Sequence, residues 1–179
     1  MLISNIFISL PLILGSSSLI ASYAKAQDLG IQTTARVGYG NLSLAGSASA
    51  GLSYRVEING AFYSKWSAGL GITQLTSATT ITPLPPFSSF RLDNSHTLID
   101  IHLNDHFLKN LHPLYLGLLT GIGHSSLTSS TYLLVGVQCG YDWIIANHLS
   151  FGPLAQMIAL IATNNTLILQ GLAGLTYSF

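Results

Sequence analysis

Few residues in this chain are able to do chemistry. It has six histidines and six acidic side chains, and Glu57 is the one glutamate. The pattern nearest to a nucleophilic site is His124-Ser125-Ser126. A His base beside a Ser hydroxyl suits acyl transfer if a carboxylate orients the ring. Glu57 falls near the opposite rim of any barrel built from this chain. Asp142 is the chemical substitute, but about twelve strand residues at roughly 3.3 Å each place it about 30 Å away even after tilt. A triad needs contacts of about 3 Å. Ser125 and Ser126 therefore read as loop solvation.

A metal site is the second candidate. His96, His102, His106 and His112 are interspersed with Asp93, Asp100 and Asp105. On a strand, positions four apart are about 13 Å apart, so His102 and His106 cannot grip one ion as they would on a helix. Asp100 and His102 occupy neighbouring inward positions, and a hydrogen bond between them is the better reading. No metal and no cofactor is expected. Cys139 stands alone, which excludes an internal disulfide and a multi-cysteine zinc site, and by parity it faces outward as a small hydrophobe. Arg36, Arg55, Lys65, Arg91 and Lys109 are too dispersed to form a nucleic-acid surface. Asn41-Leu42-Ser43 and Asn164-Asn165-Thr166 read as turn chemistry rather than glycosylation acceptors.

The composition limits what can position these groups. Of 179 residues, 49% are hydrophobic and 7% are charged, against about 25% charged in an ordinary soluble domain. Mean hydropathy is +0.50. Beyond the N-terminus, however, no uninterrupted apolar run approaches the roughly 20 residues of a membrane helix. Residues 1–26 read as a signal peptide, with an apolar stretch from Ile3 to Leu14 and an Ala24-Lys25-Ala26 cleavage pattern. Residues 27–179 then form one domain.

Period two resolves the conflict. Ile31, Thr33, Ala35, Val37 and Tyr39 alternate with Gln32, Thr34, Arg36, Gly38 and Gly40, and six later segments repeat the pattern clearly. A weaker seventh runs from 148 to 159, where Pro153 suggests a bulge. The second strand is expected to end at the Asn59-Gly60 hairpin signal, and a long loop is expected over 75–95, where Pro83, Pro85 and Pro86 cannot join a ladder. Tyr54, Phe62, Tyr141, Trp143, Tyr177 and Phe179 are expected at the periplasmic rim. The fold class is all-β, an eight-stranded antiparallel transmembrane up-and-down β-barrel. A soluble sandwich or lipocalin-like barrel is the alternative, but it would need more surface charge. Eight strands leave an interior that side chains fill. Inward Arg36, Arg55, Lys65, Asp100, His102, Gln138 and Asp142 are thus expected to pair in a polar lumen network rather than line a pore.

The ending Ala173-Gly174-Leu175-Thr176-Tyr177-Ser178-Phe179 resembles the terminal strand of Gram-negative outer-membrane barrels. Segments 112–123, 136–143 and 147–157 are similar to strands of the small-barrel family that includes OmpA-like, OmpX-like and opacity-type proteins. That resemblance implies a bacterial outer-membrane location. It also implies recognition by the barrel-assembly machinery through Gly174, Tyr177 and Phe179, with outer-membrane lipid and lipopolysaccharide as surroundings. His124-Ser125-Ser126 resembles the His-x-Ser element of outer-membrane lipid A 3-O-deacylases, which makes a lipid A acyl hydrolase the alternative function and a small pore a further one. The favoured expectation is a non-enzymatic structural or surface-interaction protein. Loop 75–95 would meet a surface ligand through Phe87, Phe90 and Arg91.

Overall fold

In the computed structural model the chain is a closed antiparallel β-barrel, described over residues 30–44, 47–63, 65–81, 90–107, 113–161 and 166–179. The proposed signal peptide lies outside these residues. The strands are β1 (Ile31–Leu44), β2 (Ser47–Tyr63), β3 (Trp66–Ile81), β4 (Phe90–His106), β5 (Leu114–Ser125), β6 (Ser130–Tyr141), β7 (Trp143–Ala146), β8 (Leu149–Ile161) and β9 (Thr166–Ser178). Strands β6 and β7 are two lengths of one stave, because both pair with β8. Sequence neighbours pair in turn, and β1 closes on β9. The result is eight staves in up-and-down order.

Alternation explains both faces of this wall. Val37, Val56, Ile72, Ile101, Leu118 and Leu169 point outward and are exposed, while Arg55, Asp100, Leu134 and Ile158 point inward and are fully buried. Phe62, Trp143, Tyr177 and Phe179 gather on the rim that holds the chain's described ends. There Trp143 stacks on Phe151 and Tyr177 meets Phe179 edge-on. We call this the terminal rim and its opposite the far rim.

Five local expectations are corrected. Asn59-Gly60 is not a turn: β2 continues to Tyr63, which already pairs with Trp66 of β3. Here lumen packing overrides turn preference, because Asn59 Oδ1 lies 2.5 Å from His102 Nε2. The 75–95 segment is mostly strand, since its Ser and Thr residues suit an extended ribbon. The proline-bearing 82–89 lies outside the described residues. Pro153 makes no bulge. The β6–β8 register at Gly140–Leu154 continues unshifted to Trp143–Phe151, and the stave is merely interrupted at Asp142, where Pro153 offers no N–H. Tyr54 sits at mid-strand opposite Val37, away from the rim. Lys65 does not enter the lumen. It occupies the turn, half-exposed, with its ammonium 3.3 Å from Asp105 and 5.3 Å from the Trp66 ring centroid, because a four-carbon stem lets the charge reach water from the rim.

Candidate functional site

The lumen is the densest polar cluster among the described residues, and it forms because inward positions from distant strands share one level. Arg36 of β1 and Arg55 of β2 are direct cross-strand partners. Like charges placed so are destabilising unless an anion intervenes. Glu57 intervenes: its Oε1 accepts from Arg36 Nε at 2.9 Å, and its Oε2 lies 3.3 Å from Arg55 Nε. Arg55 then grips Asp100 with both terminal nitrogens, at 2.5 and 2.9 Å, the bidentate geometry that makes such pairs strong. Asp100 Oδ1 also lies 3.0 Å from His102 Nδ1. On the other side, Arg36 donates to the Gly152 carbonyl, the Tyr115 hydroxyl and Asp142, at 2.9, 3.1 and 3.3 Å.

An amide belt adjoins this cluster. Asn104 Oδ1 accepts from Gln138 at 2.6 Å, Gln138 Oε1 accepts from Gln156 at 2.6 Å, and Gln156 Oε1 accepts from Gln170. Ser53 Oγ donates to Gln170 at 2.9 Å and continues the run onto β2. Each amide is donor to one neighbour and acceptor from the next, so buried polar atoms from five staves satisfy one another.

Toward the far rim the lumen chemistry changes. Leu75, Leu98, Leu119, Leu134, Ile158, Leu160 and Ile168 form a buried apolar plug inside the barrel. Leu172 packs in a second small cluster with Tyr115 and Leu154.

Of the seven lumen residues read from sequence, six (Arg36, Arg55, Asp100, His102, Gln138 and Asp142) are buried in this interior, and Lys65 is not. The sequence reading missed Glu57, although parity with Ser53 and Arg55 carried the signal. It also missed the plug, because inward Leu breaks the polar-in rule. Phe87 lies outside the described residues, while Phe90 and Arg91 open β4 rather than sit in a loop. Gly174, Tyr177 and Phe179 occupy β9 and its end.

The hydrolase pattern keeps its His and Ser on one face and its carboxylates on the other: His124 and Ser126, the two ends of the His-x-Ser spacing, are exposed outside, while Glu57 and Asp142 are buried inside. His124 is exposed outside, with Nδ1 3.4 Å from Thr131 Oγ1, while Ser125 is buried inside, where its hydroxyl bonds Asn94. Ser126 Oγ, also outside, accepts from Ser95 N–H at 3.0 Å. Glu57 and Asp142 are both committed to Arg36. Among the described residues no three His, Cys, Asp or Glu side chains gather to hold a metal.

Glycines provide the space that the large polar groups need. A Cβ on Gly71 would fall on the Arg55 guanidinium, and one on Gly140 would fall on the Tyr115 ring. Gly71→Ala is therefore expected to displace Arg55 and destabilise the barrel by about 1–3 kcal/mol. The readout is the temperature at which the compact band converts to the unfolded one on a detergent gel. An unchanged conversion temperature would mean that Arg55 does not need this space.

A closed eight-stave wall with an apolar exterior and a filled interior defines a transmembrane β-barrel of the outer-membrane type. Solved structures agree on this fold. Neisserial surface protein A is similar with a TM-score of 0.67 at 15% identity, over 84% of this chain and 97% of that one. Ail of Yersinia pestis in complex with the heparin analogue sucrose octasulfate gives 0.56 at 12%, over 84% and 99%. The outer membrane protein OprG of Pseudomonas aeruginosa gives 0.56 at 11%, over 84% and 96%. No protein-family model and no curated protein sequence matches the chain.

Proposed function

We propose that the protein is a non-enzymatic outer-membrane barrel whose work is surface interaction, carried by a ribbon that β3 and β4 raise at the far rim. The length over which β3 and β4 pair with each other alone is the observation behind this reading. β3 and β4 stay paired as far as Ile81–Phe90. β2 leaves β3 at Gly51–Ser77, and β5 reaches β4 only at His96–Ser125 and one further bond, Ser126 N–H to Ser95 C=O. Residues 78–81 and 90–94 thus pair only with each other, over a length of roughly 13 Å, while β2 parts from β3 and follows β1 through Ser47–Ala50. The described ends and the close Tyr63–Trp66 pairing of β2 with β3 share the other rim, which suits an orientation with the ribbon outside the cell.

The filled lumen favours this role over a pore, and the commitment of Glu57 and Asp142 to Arg36 inside the barrel, across the wall from His124 and Ser126, favours it over acyl hydrolysis. Ail was solved with a heparin analogue, but the chemistry at this rim differs. Residues 45–46, 82–89, 126–129 and 162–165 contain no Lys or Arg, and Arg91 is followed two residues later by Asp93. The fitting partner meets Phe87, Phe90 and proline backbone rather than offering clustered sulfates.

The test replaces residues 80–92 with a short Gly-Ser turn and compares cells bearing either barrel. Adhesion to host-cell monolayers and binding of lipopolysaccharide are expected to fall while the compact gel migration persists. Undiminished adhesion and binding by a folded, ribbonless barrel would overturn the proposal.

A further inference from the structure

The outer wall carries a furrow that the lumen and the ribbon do not explain. Its floor follows one hydrogen-bonding row: Trp66 pairs with Asp105, Asp105 with Leu116, Leu116 with Cys139, Cys139 with Ala155, and Ala155 with Gly171. All six face outward. From Leu116 onward the floor residues become small, while Leu118, Val137, Met157 and Leu169 in the next row form a ridge beside them. Tyr141 and Pro153 form the ridge on the other side. The open volume between the floor and the first ridge is about 790 Å³.

The furrow's course is set by strand tilt. Five inter-strand steps make it about 24 Å long, and because staves lean by roughly 35–45° the row climbs about 15 Å, the depth of one leaflet of a 30 Å core. It starts at Trp66, the first residue of β3 on the terminal rim, and ends at Gly171 in the middle of β9. At its mouth stand opposite charges. The half-exposed Lys65 ammonium lies 3.3 Å from Asp105 Oδ1 and beside the Trp66 ring.

We propose that this furrow holds one phospholipid of the adjacent leaflet, with an acyl chain along Leu116–Cys139–Ala155–Gly171 and a zwitterionic headgroup at the mouth. The headgroup phosphate meets Lys65 and its ammonium meets Asp105. A purely anionic headgroup would gain Lys65 but face Asp105, so the paired charges select a phosphate that carries its own cation. The apolar floor and ridges offer a chain continuous contact where flat barrel wall offers one side only. This inference requires the barrel to lie in a bilayer, and it is independent of the ribbon's partner.

The test refolds the full barrel into vesicles of phosphatidylethanolamine and phosphatidylglycerol, extracts it in mild detergent and weighs it intact. One retained phosphatidylethanolamine is expected. Gly171→Leu should remove it, because a Cβ at this position meets nothing within 4 Å, so the added side chain fills the furrow without straining the wall. Asp105→Asn should equalise retention of the two lipids. Compact gel migration shows that each variant is folded. Three results would overturn the proposal: lipid retention unaffected by Gly171→Leu, equal retention of both lipids by the unaltered barrel, or a dimer mass that disappears with Gly171→Leu, which would make a second copy the occupant.

Discussion

Arg55→Met is expected to lower the unfolding free energy of the barrel by about 3–5 kcal/mol, the cost of leaving buried charge without its partner. Arg55 is 1% exposed and, among the described residues, is the cation that grips Asp100 with two bonds. Its removal leaves Asp100 with His102 and leaves Glu57 with Arg36 and His102. Arg55→Met/Asp100→Leu should recover a large part of the loss, because it removes the pair together and replaces it with apolar volume. Urea unfolding of barrels refolded in lipid vesicles measures both. If the two single substitutions simply added in the double variant, the pair would not be the coupled unit that its geometry describes.

The second large effect concerns the plug. Leu98→Ala, inside the lumen at 0% exposure, is expected to cost toward the upper end of about 2–5 kcal/mol, since a cavity remains where the side chain stood. Leu118→Ala, outside at 66% exposure, should lose only the transfer contribution, about 2 kcal/mol for three carbons, because lipid tails close over the site. The same unfolding measurement compares them. A hydrated lumen would reverse the order, as water would occupy the space left by Leu98. That reversal would also revive the pore reading.

The wall was legible in the sequence because lipid enforces a strict rule on every second residue, and a one-residue slip would move a whole strand's side chains to the wrong medium. Strand ends were less legible. Asn59-Gly60 carries a strong turn preference, yet Asn59 is worth more to the barrel as a partner for His102 than as a turn. The Ser and Thr residues after Leu75 looked like loop because the ribbon they build rises beyond the apolar belt, where alternation no longer has lipid to read it. Within the lumen, parity placed Arg36, Arg55, Asp100, His102, Gln138 and Asp142. Partners across |i−j| separations such as the 106 residues between Arg36 and Asp142 follow from how the staves are staggered, which single-strand periodicity does not encode. Inward Leu98 and Leu134 were unreadable for a different reason: the rule that interiors are polar holds for water-filled barrels, and this one is filled by its own side chains.

The reach of Arg36 also bears on how the protein enters a membrane. Arg36 lies on the first stave, and its bonds to Gly152 and Asp142 come from the last third of the chain. An open sheet laid into hydrocarbon would hold Arg36, Arg55, Glu57 and Asp100 with one side of their surroundings missing, at a cost of several kcal/mol for each unsatisfied group. Arg36 therefore finds its full set of partners only when the β1–β9 seam is closed, so the last pairing of the wall and the neutralisation of its interior are one and the same contact set.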